Sequence, residues 1–305
     1  MCRVAELQQA VLAENDRGAQ RLRAALAARG TAVVNLLSSP GSGKTALLEA
    51  ELTRARERGV PVAALTADLA TENDARRLAR SGAPVKQVLT DGLCHLEAGM
   101  LGRHLDGWLP DGVRLLFVEN VGNLVCPASY DLGESLRVVL ASVTEGEDKP
   151  LKYPTAFGLA QLVVVTKADL AGPAGFDREA FLAAVQQVNP GVEVVFTSVR
   201  RGEGVGLLLD RAVAVQRGVP AHRPVMARLA VGGAHGHGTG RDHGHDHDHD
   251  HDRDHGHDHG HGRDQGDHHG RGPGDDGPPA GEHAHGTAPG HHGSAVRDDP
   301  ARTRP

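Results

Sequence analysis

The sequence predicts an α/β fold, a doubly wound and mainly parallel sheet, followed by a disordered histidine-rich tail. Three observations support this fold class. Short apolar runs alternate with helical segments through residue 217. Some of these runs, such as 162–165, contain no polar residue, which is typical of strands buried on both faces. The first run leads straight into a glycine-rich turn and then a helix, an order that belongs to parallel α/β sheets.

The individual elements follow from the spacing of apolar residues. Helical spacing predicts an N-terminal helix over 4–29, which ends at Gly30. The predicted strands cover 31–37, 61–67, 84–90, 114–120, 137–143, 161–166 and 192–197. The predicted later helices cover 44–58, 72–81, 94–106, 177–188 and 205–217.

Composition separates a globular body from a tail. After residue 230 the chain holds 17 of its 20 histidines, and 14 acidic residues against seven arginines. Aliphatic residues are scarce there, so the segment 231–305 cannot bury enough apolar surface to offset chain entropy and is predicted to be disordered. The body carries a formal net charge of about +1, which gives no electrostatic basis for nucleic-acid binding.

Cysteine content and hydropathy indicate the compartment. Cys2, Cys94 and Cys126 are too few for a disulfide framework. No apolar run approaches the roughly 18 residues needed to cross a bilayer, and the N-terminus lacks the pattern of a secretion signal. We therefore expect a cytoplasmic protein with no membrane or nucleic-acid partner.

The most informative motif is the turn Ser38-Ser39-Pro40-Gly41-Ser42-Gly43-Lys44-Thr45, which lies between a predicted strand and a predicted helix. Its backbone N–H groups and the helix N-terminus would hold the phosphates of a nucleoside triphosphate. Lys44 would place its charge among the β- and γ-phosphate oxygens, and the Thr45 hydroxyl would bind Mg²⁺. Ser38 stands where the usual pattern has its first glycine. The predicted nucleotide-binding residues of this turn are Pro40, Gly41, Ser42, Gly43, Lys44 and Thr45.

Two acidic residues at strand ends complete the predicted catalytic set, Lys44, Asp68 and Glu119. Glu119 ends a hydrophobic strand and Gly122 follows it, an order that nucleotide hydrolases use for the carboxylate that supports Mg²⁺ and the glycine whose N–H senses the γ-phosphate. Asp68 could support Mg²⁺ or orient the attacking water. The predicted Mg²⁺ ligands are therefore Thr45, Asp68 and Glu119. Direct or water-mediated contact of Glu119 with Mg²⁺ stays open, and a carboxylate that merely ends a strand is the simpler alternative.

A third set of residues indicates which base is bound. In Val165-Thr166-Lys167-Ala168-Asp169, the Asp169 carboxylate can accept hydrogen bonds from N1–H and the exocyclic amine of guanine. The Lys167 stem can lie along the base, and Ser198 follows a strand where a small residue lines base pockets. Lys167, Asp169, Ser198 and Gly122 join the predicted nucleotide-binding residues. The order of these signals favours GTP, with ATP as the alternative.

Cys94, His95 and Cys126 are candidate ligands for a soft metal ion. Cys94 and His95 are predicted to open the helix 94–106, and Cys126 follows the segment that responds to the γ-phosphate. Buried cysteines that act as small hydrophobic residues are the alternative. Three ligands are one short of a closed tetrahedral site, so a second copy of the chain or water would complete it.

The tail is predicted to bind metal through neutral imidazoles, which suit Ni²⁺, Cu²⁺, Zn²⁺ and Co²⁺, with the interleaved aspartates as hydrogen-bond acceptors. Because imidazolium cannot bind metal, we expect this binding to collapse below about pH 6. A solvated spacer without metal is the alternative. The predicted tail ligands are His243, His245, His247, His249, His251, His255, His257, His259 and His261.

Four segments together resemble the HypB family of hydrogenase nickel-incorporation GTPases. They are the phosphate turn, Cys94-His95-Leu96-Glu97-Ala98, Glu119-Asn120-Val121-Gly122-Asn123-Leu124-Val125-Cys126-Pro127 and Lys149-Pro150-Leu151-Lys152-Tyr153-Pro154. The resemblance extends from about residue 5 to 220. It implies a P-loop NTPase of the SIMIBI class, with an N-terminal helical segment (1–30), a GTPase domain (31–222) and the tail (231–305).

The resemblance also implies a biological role. Members hydrolyse GTP, deliver Ni²⁺ to the large subunit of a [NiFe]-hydrogenase, form nucleotide-dependent homodimers, and work with a HypA-type metallochaperone and, in some systems, SlyD. The family residues that match Cys94, His95 and Cys126 bind Ni²⁺ or Zn²⁺ across the dimer interface. Two departures stand out: a cysteine-rich N-terminal nickel motif is reduced here to Cys2, and the histidine-rich segment is C-terminal, which suggests nickel buffering or storage.

Three other functions remain as alternatives. A urease accessory GTPase shares the class and the use of nickel, but the order Cys94-His95 and the segment 119–127 argue against it. A metal-storage protein with a weak nucleotide-binding domain would show no GTP turnover. A small-molecule phosphotransferase would need an acceptor pocket that no motif marks.

Overall fold

A computed structural model of the protein describes residues 3–68, 73–90 and 92–227. In this part of the chain, seven parallel strands form one sheet in the order β3-β2-β4-β1-β5-β6-β7. All seven predicted strands and the doubly wound fold class are therefore confirmed. The strands are β1 (Ala32–Ser38), β2 (Val62–Asp68), β3 (Val85–Leu89), β4 (Leu115–Glu119), β5 (Leu136–Ser142), β6 (Leu162–Thr166) and β7 (Val194–Phe196).

Helices connect the strands and cover both faces of the sheet. The helix predicted over 4–29 is present as α1, and the others follow the strand–helix alternation. The helices of the described residues are α1 (Arg3–Ala28), α2 (Lys44–Glu57), α3 (Asn73–Ala79), α4 (Ala98–Leu105), α5 (Lys149–Lys152), α6 (Pro154–Gly158), α7 (Ala171–Ala174), α8 (Arg178–Val188) and α9 (Leu207–Gln216).

The prediction that Cys94 and His95 open a helix is wrong. Helix α4 begins at Ala98, after an extended Glu97 with φ −108° and ψ 152°. The backbone N–H of Leu96 points to the side-chain oxygen of Asn120, 3.4 Å away. The segment before α4 is therefore held against the end of β4 instead of continuing the helix, and both predicted ligands lie in a loop.

Successive strand residues pack on opposite faces of the sheet. Val34, Leu36 and Phe117 join the core formed with α2 and α9. Val33 and Leu116 join the core formed with α1 and α4. A third cluster packs α6 and α8 against the half of the sheet that holds β5 and β6. Because both faces are covered, the central strands are apolar along most of their length, as the sequence indicates.

The strand order places a crevice at one edge of the sheet. β1 lies between β4 and β5, so the connections after β1 and β4 leave toward different sides, and ligands of such sheets bind beyond the carboxyl ends of the strands. The ends of β1, β2, β4 and β6 carry most of the predicted site residues.

Some predictions concern parts of the chain that the structure does not describe. The tail predicted over 231–305, with its nine candidate histidine ligands, lies outside the described residues, as does Cys2. The division of the chain into three segments stays a prediction. Within residues 3–68, 73–90 and 92–227, the structure contains no helix with the length and hydropathy of a membrane span.

Candidate functional site

The glycine-rich turn forms one wall of a cavity at the carboxyl edge of the sheet. It starts at Ser38, where β1 ends, and passes into α2 at Lys44. Gly41 (φ 72°) and Gly43 (φ 91°) adopt the left-handed region, which glycine enters without steric cost. These two residues let the turn curl back, so that the N-terminus of α2 faces the cavity. This is the geometry of an anion-binding site.

The cavity brings together the residues that the sequence assigns to phosphate and Mg²⁺. Its volume is about 510 Å³. It is lined by Ser39, Pro40, Gly41, Ser42, Gly43, Lys44, Thr45, Ala46, Ala67, Asp68, Asp74, Arg77, Glu119, Val121 and Gly122. All six turn residues, both predicted catalytic carboxylates and the predicted sensing glycine therefore face one space.

Glu119 lies at the centre of this cavity wall. The residue is 1% exposed, and Oε1 accepts a 2.6 Å hydrogen bond from the Thr45 hydroxyl. Nζ of Lys44 lies 3.6 Å from the same oxygen. Within the part of the chain that the structure describes, the buried Oε2 has no hydrogen-bond partner. Burial raises the pKa of the Glu119 carboxyl above its ordinary value, although Lys44 and Thr45 act in the opposite direction.

These contacts fit a bound Mg²⁺. Oxygen ligands from carboxylates and hydroxyls suit this ion, and Thr45, Asp68 and Glu119 supply them around one cavity. The unpartnered Oε2 of Glu119 is a buried acceptor that a cation would satisfy. Ser42 carries a second unpartnered buried oxygen at the same turn. A cation would also relieve the cost of burying the carboxylate.

Two charged residues of the cavity were not predicted as site residues. Asp74, in the first turn of α3, lines the cavity, and its charge raises the pKa of Glu119. Arg77 lines the cavity one turn later and binds Glu49 at 2.6 Å. The helical spacing of Asp74 and Arg77 after β2 is a signal that could have placed them on one face.

The candidate base-recognition residues lie next to the phosphate turn. Lys167 has a left-handed backbone (φ 57°), and its Nζ donates to the carbonyl of Gly41 at 2.8 Å. The Ser198 hydroxyl donates to Oδ1 of Asp169 at 2.6 Å. This hydrogen bond holds the pKa of the Asp169 carboxyl below its ordinary value, so Asp169 is an anionic acceptor. The structure thus brings Asp169 and Ser198 together, as base recognition requires.

A second group of side chains meets beside the cavity. One ligand atom from each of Cys94, His95 and Cys126 lies within 4.8 Å of the others. Sγ of Cys94 is 3.7 Å from Nδ1 of His95. The first two residues come from the loop after β3, and Cys126 comes from the segment after β4. Two sulfurs and an imidazole at these separations form a candidate site for Ni²⁺ or Zn²⁺.

The electrostatics of this cluster suit a metal ion. The neighbouring thiol of Cys126, followed by burial, raises the pKa of the Cys94 thiol. Burial lowers the pKa of the His95 imidazole, against the influence of Glu97. Nε2 of His95 is buried, and none of the described residues forms a hydrogen bond with it. A cation would stabilise the two thiolates, and a neutral imidazole is the form that binds metal.

Tyr130 packs against the cluster, and Arg137 holds the backbone of Tyr130 in place. The Tyr130 ring lies against the His95 imidazole, with centroids 3.9 Å apart and planes inclined by 32°. The buried Arg137 guanidinium donates to the carbonyls of Ala128 and Tyr130, each at 2.9 Å, and to Glu134 at 2.6 Å. Sequence patterns did not reveal this support, although an arginine at the start of the apolar run predicted as the strand 137–143 was a usable signal.

The segment after β4 connects the cavity with the cluster. It begins with Glu119 in the cavity and reaches Cys126 seven residues later. Between them, Gly122 passes so close to Pro40 that a methyl group added at Gly122 would lie 3.2 Å from Cα of Pro40. Asn123 forms an isolated antiparallel bridge with Ser38. The same short segment therefore contacts the phosphate turn and carries one candidate metal ligand.

Comparison with known families and proteins agrees with this geometry. Residues 32–196 match the family described as CobW/HypB/UreG, nucleotide-binding domain. The hydrogenase maturation factor HypB of Escherichia coli K12 is 48% identical over 208 residues, which are 68% of this chain and 71% of that protein. The hydrogenase/urease maturation factor HypB of Helicobacter hepaticus is 42% identical over 207 residues, 66% of this chain and 83% of its own length.

Solved structures show the same similarity. A crystal structure of HypB from Helicobacter pylori in complex with nickel superimposes with a TM-score of 0.64 at 34% identity, and covers 68% of this chain and 98% of that one. A crystal structure of the hydrogenase maturation factor HypB from Archaeoglobus fulgidus gives a TM-score of 0.62 at 37% identity, and covers 67% of this chain and all of that one.

Proposed function

The chain belongs to the CobW/HypB/UreG family of nucleotide-binding domains, and from this membership we propose that it is a GTP-hydrolysing nickel metallochaperone for hydrogenase maturation. The observation that carries the proposal is the position of the Cys94–His95–Cys126 cluster. It shares the segment after β4 with the phosphate cavity, so a bound nucleotide and a bound nickel ion would contact the same stretch of backbone. The nickel complex of a similar HypB structure supports the choice of metal.

The phosphate cavity supports triphosphate binding and hydrolysis. In the proposed complex, the turn N–H groups and Lys44 hold the phosphates of GTP, and Thr45, Asp68 and Glu119 hold Mg²⁺, directly or through water. Mg²⁺ would supply neutralisation of the charge that develops on the phosphate oxygens. Asp68 is the candidate to orient the attacking water, because it lines the same cavity. Gly122 and Val121 face the place of the terminal phosphate.

Guanine is the proposed base. Asp169 is anionic and held by Ser198, which leaves the carboxylate able to accept hydrogen bonds from the two neighbouring N–H donors of guanine. Adenine lacks this pair of donors, so ATP would leave the carboxylate without them. Lys167 links the base region to the phosphate turn through Gly41.

The metal cluster supports transient binding of nickel as cargo. Three ligands leave a coordination position open, which a water molecule, a second copy of the chain or a partner protein would complete. Zn²⁺ is an alternative occupant of the same ligands. We propose that GTP favours a homodimer and that hydrolysis loosens the cluster and passes nickel on. The resemblance to the HypB family suggests a HypA-type metallochaperone as partner and the hydrogenase large subunit as client, and the histidine-rich tail would buffer or store nickel.

A urease client is the second candidate function. It is favoured by the relative from Helicobacter hepaticus, which is named as a hydrogenase/urease maturation factor. The same GTPase and nickel chemistry would serve either client. Nickel transfer to purified apo forms of the two enzymes would distinguish them.

The decisive experiment joins GTP turnover with nickel binding. Phosphate release from GTP should be measurable in the full-length protein and absent in Lys44→Ala. Nickel affinity should differ between the GDP complex and the complex with a non-hydrolysable GTP analogue. Equal affinity in the two complexes would contradict nucleotide-coupled delivery, and an inactive wild-type protein would leave metal storage as the better function. Truncation after Leu229 should lower nickel capacity while GTP turnover persists.

A further inference from the structure

Asn120 is a buried amide between the two sites. It follows Glu119 at the end of β4 and is 1% exposed. Its backbone N–H donates to the carbonyl of Leu36 on β1 at 3.1 Å, which fixes the backbone in the sheet edge. Its side-chain Oδ1 accepts two backbone N–H groups, from Val121 at 2.9 Å and from Leu96 at 3.4 Å. A single oxygen atom therefore joins two loops.

The two N–H donors lie at different sites, Val121 at the phosphate cavity and Leu96 at the metal cluster. Val121 lines the phosphate cavity and precedes Gly122, which packs against Pro40 of the phosphate turn. Leu96 directly follows the candidate ligand His95. The path from the phosphate turn to the imidazole thus passes through one hydrogen-bonded amide.

The amide makes two unequal hydrogen bonds. The bond to Leu96 is longer than the bond to Val121, so a shift of Val121 would change the distance between Oδ1 and the Leu96 N–H. The amide nitrogen lies 3.4 Å from Oδ1 of Asn35, and among the described residues the Asn35 amide nitrogen has no partner. Hydrogen bonds in a buried network influence one another, so a change at one bond changes the others.

We propose that Asn120 is the positioning residue that transmits the nucleotide state from Val121–Gly122 to His95. The assignment rests on the proposed function, in which nickel affinity depends on the nucleotide. When the segment after β4 moves toward a terminal phosphate, the hydrogen bond from Val121 displaces the Asn120 amide. The amide in turn displaces the backbone of Leu96, and the His95 ring moves with it. Cys126 moves because it belongs to the segment after β4, so His95 and Cys126 shift together.

The test compares Asn120→Leu with Asn189→Leu in the full-length protein. Both replacements remove a buried amide of the same size, but Asn189 binds the carbonyls of Phe157 and Ala160, whereas Asn120 binds the loop that carries His95. Added Ni²⁺ would be followed through the thiolate-to-nickel absorption band, which reports on the cysteine site while the tail competes equally in every variant. The measured quantity is the ratio of nickel affinities with GDP and with a non-hydrolysable GTP analogue.

In Asn120→Leu the ratio should move toward one by about 2–10-fold, the factor that one hydrogen bond contributes to an equilibrium, and Asn189→Leu should keep the wild-type ratio. Asn120→Ser, whose shorter side chain does not reach Leu96, provides the same comparison if Asn120→Leu fails to fold. A wild-type ratio that survives in the Asn120 variants, or that is lost equally in Asn189→Leu, would overturn the assignment alone. A ratio of one in the wild-type protein would overturn the coupling in the proposed function, and the assignment with it.

Discussion

The Thr45 hydroxyl donates a 2.6 Å hydrogen bond to Oε1 of Glu119, while the buried Oε2 of the same carboxylate has no partner among the residues that the structure describes. Burial raises the pKa of Glu119, so the folded protein binds this proton more tightly than the unfolded chain. The stability linked to this group is therefore fully present below the unfolded pKa, and it is lost as pH rises through the folded pKa. Above the folded pKa, a bound cation would recover it.

Glu119→Gln should remove this pH dependence. The amide oxygen can still accept from Thr45, but no group at this position titrates. Without Mg²⁺ and nucleotide, the wild-type protein should lose stability relative to the variant as pH rises through the folded pKa of Glu119, by about 1.4 kcal/mol for each unit by which burial raises that pKa. Urea denaturation of both proteins over a series of pH values measures the effect. A difference in the free energy of unfolding that stays constant over the series would contradict it, and GTP turnover should fall because a proposed Mg²⁺ ligand is lost.

Asp169→Asn should exchange guanine for xanthine specificity. Xanthine carries a carbonyl where guanine has its exocyclic amine, so the amide of the variant can donate where the carboxylate accepted. GTP affinity should fall by about 10–100-fold, the usual factor for a hydrogen bond to a charged group, and xanthosine triphosphate should bind better than in wild type. Competition with a fluorescent guanine nucleotide measures both. Ser198→Ala, which removes the 2.6 Å bond to Asp169, should cause a smaller loss without the exchange.

Gly122→Ala should weaken the triphosphate complex selectively. The added methyl group would lie 3.2 Å from Cα of Pro40, so the two backbones must separate by a few tenths of an ångström. Because the segment after β4 must approach the terminal phosphate, affinity for a GTP analogue should fall about tenfold, the scale of an overpacked contact, and GDP affinity should change less. Gly172→Ala is the matched control, since nothing lies within 4 Å of the added methyl group there. An equal loss of both nucleotides would contradict the prediction.

The fold was predictable because its strands are read directly from apolar runs. β6 has no polar residue among its first four positions, and the turn after β1 marks the carboxyl edge of the sheet. The positions of the candidate phosphate and base residues were also predictable, since they depend on local spacing: Lys44 and Thr45 open α2, and Lys167 and Asp169 follow β6. Residues that act together and lie close in the sequence can be recognised as a motif.

The remaining features depend on contacts between distant segments, which spacing does not encode. The start of α4 was misplaced by four residues because Asn120, 24 positions away, binds the N–H of Leu96. Arg137 shows the same limit: it lies in a strand, but its donors reach carbonyls of the loop that precedes the strand. Sequence alone suggests that such buried polar residues need partners, but it does not identify those partners.

Tyr130→Ala should weaken nickel binding at the cysteine site. The ring lies 3.9 Å from the His95 imidazole, centroid to centroid, and Arg137 fixes the backbone that carries it. Without the ring the imidazole can rotate out of the cluster, and loss of such outer contacts costs about 10–100-fold in metal affinity. Tyr130→Phe keeps the ring and should stay near wild type. The thiolate-to-nickel band, titrated against a chelator, measures both variants, with Cys126→Ser as the control that removes the band. Only Tyr130→Ala removes the aromatic ring. Equal nickel affinity of Tyr130→Ala and Tyr130→Phe would therefore show that the ring does not hold His95 in place.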